Sequence, residues 1–220
     1  MRFLAWIAVV LIAGTVPAWG DVPYNADCTP LRGVEGKDYF DFLDPASKPR
    51  LEIVEAYHFT PDIENLQHGL TGYIPDELDF VLRALPNHYR ALVAMGRWQQ
   101  MNPKMPDNLK GRVYTADCYF KRAIWFRGED ANLHALYGIY LHQTGKLDEA
   151  EREYDQAEKL GSDNAELYYN RGLLKLKKGD LAAAQAYADK AYAQGYPLPG
   201  LRDMLAKAKA KAGGKAGSGP

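Results

Sequence analysis

The chain holds two cysteines in 220 residues, Cys28 and Cys118, and they do not form a Cys-x-x-Cys pair. A thiol redox centre is therefore not indicated, and two sulfurs without a clustered histidine set make a poor zinc site. Excess charge is also missing. A formal net charge of −1 selects neither nucleic acid nor an acidic polymer as partner. After residue 20 no apolar run is long enough to cross a membrane. There is no Walker lysine loop and no dinucleotide glycine fingerprint. No serine sits in a Gly-x-Ser-x-Gly elbow or a Ser-x-x-Lys pattern. Of the five histidines, His134 and His142 are two helical turns apart, too far to share a metal. His58, Glu64 and His68 form the one short-range acid–imidazole group, with Glu64 and His68 at i,i+4, but their spacing matches no metal motif. No metal and no cofactor are expected, and the chain does not read as an enzyme.

What is present begins at the N-terminus. Met1-Arg2 precedes an apolar stretch from Phe3 to Ala13, and Ala18 and Gly20 supply small residues at the positions a signal peptidase inspects. Residues 1–20 read as a secretory signal cut before Asp21. Removing Arg2 from a net −1 leaves −2. In an exported chain an even cysteine pair points to a Cys28–Cys118 disulfide. Two separate buried thiols are the alternative. Closing a loop of about 90 residues stabilises by up to ~4 kcal/mol in the chain-entropy account.

The main organisation lies between Ala131 and Tyr196. Gly138, Gly145, Ala150 and Ala157 recur at one constant offset as Gly172, Gly179, Ala184 and Ala191. A period near 34 with a polar turn glycine predicts a helix–turn–helix unit used twice, each needing a neighbour to cover its apolar face. Leu133, Leu136, Tyr137 and Tyr140 give the first helix an apolar face; Leu167, Tyr168 and Leu173 do the same in the second copy.

These residues resemble the tetratricopeptide repeat (TPR) family, whose core positions are represented by Tyr137, Gly138, Leu141, Ala150, Tyr154 and Ala157. His134 and Tyr168 stand where the family often has a large residue, and Ser162 replaces the usual boundary proline. The resemblance implies an all-α, TPR-like right-handed helical solenoid with an irregular N-terminal segment and a C-terminal capping helix. A wider likeness to exported bacterial TPR proteins rests on His58-Phe59-Thr60-Pro61 with Glu64, on Arg83 to His88, on Cys118-Tyr119-Phe120 and on Gly195 to Gly200. It implies a periplasmic location and no chemistry.

The remaining segments follow from their punctuation. Residues 21–72 are broken by Pro23, Pro30, Pro45 and Pro49. Within them, 50–57 alternates charged and apolar residues for part of its length and reads as a strand or extended segment. Thr60-Pro61 opens a short helix expected to reach about His68. The array spans 73–197: a half repeat at 73–87, a repeat with an eight-residue insertion at 88–128, and repeats at 131–164 and 165–197. Residues 198–212 form the capping helix and 213–220 a disordered tail.

Stacked pairs present their first helices, here the A helices, on a concave face suited to a peptide or protein segment. His134, Tyr140, Asn170, Arg171 and Lys175 are the candidate contacts that the core does not require. An amide such as Asn170 binds a peptide backbone through both donor and acceptor, and Arg171 suits a carboxylate. The expected function is a periplasmic adaptor or scaffold that binds an envelope protein or peptide, without nucleic acid and without an integral membrane segment after processing. One alternative is self-association through the tyrosine-rich second copy. Another is a metal-dependent activity at the His58, Glu64 and His68 group.

Overall fold

The computed structural model describes Cys28 and residues 39–70, 72–104, 106–109 and 112–216. The expected signal at 1–20 lies outside them, as do the rest of 21–38 and residues 217–220 of the expected tail, whose residues 213–216 instead continue the C-terminal helix.

Four glycines set the rhythm of the array. Gly145, Gly161, Gly179 and Gly195 have φ of +85°, +95°, +84° and +80°, a region L side chains rarely enter. They form two series, Gly145 with Gly179 and Gly161 with Gly195, each advancing by one repeat. A Cβ at any of them would meet nothing within 4 Å, so backbone conformation, not lack of space, demands glycine there. Each follows a helix end: α6 (Ala131–Gln143), α7 (Leu147–Lys159), α8 (Ala165–Lys177) and α9 (Leu181–Ala193). At the first, the Gly145 and Lys146 amides donate back to His142 and Leu141 carbonyls, satisfying groups the helix end would leave open. Side chains also fix the starts of α6, α8 and α9, while α7 has no such cap. Asp130, Asn164 and Asp180 side chains accept from Asn132, Leu167 and Ala183 amides, and Thr115 does the same for Cys118 at the start of α5 (Ala116–Phe126).

Small residues let the paired helices close. A Cβ at Gly138 would lie 2.6 Å from the Tyr154 ring, so α6 and α7 meet through that ring lying against bare backbone. At Gly172 the same offset meets Ala188, which is smaller. The space is filled instead by Leu201 from α10 (Gly200–Ala216), whose Cδ2 would sit 2.4 Å from an added Cβ. Leu133, Leu167 and Leu201 stand one repeat apart and all are buried. Thus α10 lies on α8 and α9 as α8 lies on α6 and α7.

The N-terminal part departs from expectation. Residues 50–57 belong to a helix, α1 (Lys48–His58), with Pro49 in its first turn. Only Val54 of its apolar residues is buried, while Ile53 and Tyr57 are each 61% exposed, which is why the pattern imitates a strand. The following helix, α2 (Pro61–Glu64), is a single turn. It stops short of His68 because the chain turns off at Leu66, a leucine at φ +59° whose side chain packs on the core. Next come α3 (Ile74–Ala84), which packs against α1, and α4 (Tyr89–Met101), which packs against α3. Residues 39–44 lie across this region. Phe40 donates to the Ala84 carbonyl, and buried Asn87 accepts from the Phe42 amide while donating to Asp41. Cys28 and Cys118 are joined in a disulfide that ties the N-terminal segment to α5.

Candidate functional site

The A helices α4, α6 and α8 share one face, and a groove of about 320 Å³ runs over it. Ala135, Leu136, Ile139 and Leu167 make its apolar floor, with Asn132 and Asn170 beside them. Tyr89 closes one end. Its hydroxyl donates to Asp130 at 2.5 Å, while the other carboxylate oxygen of Asp130 caps α6, so one acid fixes both ring and helix start. Burial, and then the Asp130 contact, push the Tyr89 pKa well above its ordinary value, so this wall stays neutral. Asn170 Nδ2 donates to the Glu166 carbonyl at 3.0 Å, which holds the amide at the groove and leaves its oxygen without a partner among the described residues.

Of the five residues singled out from sequence, Asn170 alone lines this groove. The core does require His134, Tyr140 and Arg171, contrary to expectation. His134 is buried between α6 and α7, with Nδ1 2.7 Å from Glu153 and Nε2 3.1 Å from the Gly128 carbonyl. Tyr140 is buried and stacks on Phe120 at 5.3 Å. The Arg171 guanidinium reaches Asp155 at 2.5 Å and Glu158 at 3.0 Å and lies over the Tyr187 ring. Lys175, half-buried, is bonded to Glu151, which Lys178 also contacts, and those two lysines hold the Glu151 pKa down to about 2. Arg171, chosen to receive a carboxylate, and Lys175 are therefore both spent between helices.

Sequence reasoning missed Tyr89, Asn132 and the apolar floor. The signal was in the period: one repeat before Glu166 and Asn170 stand Asn132 and Leu136, on the same face.

The His58, Glu64 and His68 group is dispersed. His58 pairs with buried Glu77 at 2.7 Å, His68 with Asp62 at 3.1 Å, and Glu64 with Arg90. Among the described residues no group of three or more His, Cys, Asp or Glu side chains is arranged to hold a metal ion. No helix among them is long and apolar enough to cross a membrane.

Stacked helix pairs with a side-chain groove across their A helices define a helical-repeat array. Residues 138–179 match the family described as TPR repeat. Among solved structures, the crystal structure of a thermophilic TPR protein of Thermus thermophilus is similar, with 22% sequence identity, a TM-score of 0.49, and coverage of 75% of this chain and 77% of that one. A comparison with curated proteins gave no match.

Proposed function

We propose that the protein is an exported adaptor which binds an extended segment of an envelope protein along the groove over α4, α6 and α8. The observation that carries this reading is the groove itself: a cleft of about 320 Å³ with an apolar floor, flanked by amides and by the Glu166 carboxylate, beside Arg171 and Lys175 that are already paired. Amides recognise peptide backbone without demanding a particular side chain, and the floor takes one or two apolar anchors. Because Arg171 and Lys175 are committed elsewhere, the partner is held through its backbone and apolar side chains, not through a terminal carboxylate. The Cys28–Cys118 disulfide supports an oxidising compartment, in keeping with the leader-like residues 1–20.

The test is crosslinking and pulldown from the native envelope, repeated with Asn170→Ala and Ile139→Glu. Both positions are only half-buried, so helical content should not change. The partner should be recovered with the native protein, and its affinity should fall by about 1–3 kcal/mol with each variant. Binding that ignores both substitutions, or recovery of the protein's own copies alone, would count against the adaptor reading.

A further inference from the structure

A second groove, of about 370 Å³, lies between α9 and α10, away from the A-helix face. Its lining becomes intelligible in the repeat register. Gln185, Asp189 and Tyr192 of α9 correspond, one repeat back, to Glu151, Asp155 and Glu158 of α7. Arg202, Ala206 and Lys209 of α10 correspond to Tyr168, Gly172 and Lys175 of α8. The contacts repeat too: Lys209 donates to Gln185 as Lys175 donates to Glu151. The α7–α8 groove is the one that α9 occupies, with Tyr187 stacked on Tyr168 and the Ala184 and Ala188 backbone against Gly172. Helix α10 is therefore an A helix, and the place of its B helix is open among the described residues.

The charge of this seat differs from that of its predecessor. Beneath α9 the α7 wall carries three acids, and Lys190 of α9 lies 3.9 Å from one of them, Glu158. In the terminal groove two of those acids are replaced, by Gln185 and Tyr192. The remaining one, Asp189, is hydrogen-bonded to Gln185 at 2.7 Å. On the α10 side stand Arg202, packed over the Tyr192 ring at 4.3 Å, and Lys209. Ala206 holds the small-residue position through which a helix approaches closely. In the predecessor the three acids are already matched by Arg171, Lys175 and Lys178, whereas here Arg202 and Lys209 face one acid that Gln185 holds, so this seat has cations to offer an acidic flank.

We propose that the α9–α10 groove docks an amphipathic helix of another protein. That helix presents small apolar residues at i, i+4 and i+7, as Ala184, Ala188 and Ala191 do, and acidic side chains toward Arg202 and Lys209. It completes the last repeat in trans. The inference is independent of the A-helix groove, since the two share no lining residue.

The probe is a hydrocarbon-stapled synthetic peptide of residues 181–193 carrying Lys190→Glu, compared with the same peptide keeping Lys190 and carrying Asp189→Lys. Binding to the full chain is read by fluorescence anisotropy. The acidic peptide should bind saturably and the basic one about tenfold more weakly, with the order reversed in Arg202→Glu/Lys209→Glu protein. Ala206→Leu, at an exposed position, should abolish binding with the circular dichroism unchanged. Three results overturn the proposal: no saturable binding, equal binding of both peptides, or binding indifferent to Ala206→Leu. A native protein that light scattering shows to be a dimer, made monomeric by Ala206→Leu, also overturns it, because the seat then belongs to a second copy.

Discussion

Gly138 and Gly172 occupy one repeat position and face different neighbours, so the same substitution separates two kinds of crowding. An alanine at Gly138 drives its Cβ into the rigid Tyr154 ring at 2.6 Å, and overpacking of that kind costs about 1–3 kcal/mol. At Gly172 the obstacle is the free end of Leu201, which moves cheaply, and the better helix propensity of alanine returns about 1 kcal/mol. Urea unfolding should show Gly138→Ala clearly destabilised and Gly172→Ala near neutral; equal losses would contradict the assignment. His88 offers a pH test. It is fully buried against Phe42 and Phe59, accepts from the Ala91 amide through Nδ1, and so turns an Nε2–H toward Glu55. Burial pulls its pKa below the ordinary 6.5, outweighing the Glu55 hydrogen bond. The unfolded chain thus takes up the proton first, and stability is intact above pH 6.5 but falls as the pH drops through that value. Burial, with Lys177 adding to it, lowers His142 in the same direction. His88→Asn, which retains a capping side chain, should keep only the His142 share when melting temperatures at about pH 7.5 and 5.5 are compared. A fall as large as that of the native protein would remove His88 from the account.

Among elements, α10 is the one whose removal reads most clearly. Leu201 and Leu205 belong to a small core with Tyr168, Tyr169, Ala184 and Ala188, distinct from the larger core that extends from Val54 to Leu174. A chain ending before Gly200 should show faster amide exchange throughout α8 and α9 while α6 and α7 stay protected. Uniform loss of protection would mean that the two cores unfold as one. The repeats were legible in advance because their signals are local: a glycine that ends a helix and a small residue that admits a neighbour are properties of single positions, echoed one repeat on. Helix α1 was not legible, since Arg50 to Tyr57 leaves Ile53 and Tyr57 in solvent and so lacks a helical apolar stripe. The groove was half legible. Asn170 follows from side-chain chemistry alone, whereas the burial of His134 and Arg171 depends on Glu153, Asp155 and Glu158 arriving from the next or previous helix. Those partners lie on a different helix from the residue they hold, and only the stacked structure brings them close.

At the scale of the whole molecule, the disulfide joins Cys28 to Cys118 across a separation of 90 residues, enclosing α1 to α4 within one covalent loop. Reduction should lower the melting temperature, through a loss of stability that the chain-entropy account puts at roughly 4 to 5 kcal/mol at most. No change on reduction would show that residues 39–44, with their bonds to Ala84 and Asn87, hold this region unaided. The same loop has a mechanical consequence. Tension applied between a point before Cys28 and the C-terminus passes straight from one sulfur to the other and enters the chain at α5. Helices α1 to α4 carry no load and cannot be drawn out. In an optical trap the oxidised molecule should lengthen only by what lies beyond Cys118, and a reductant should release about 90 further residues, on the order of 300 Å of extended chain. The stretch from Cys28 to Cys118 is a slack length held in reserve by a single covalent latch.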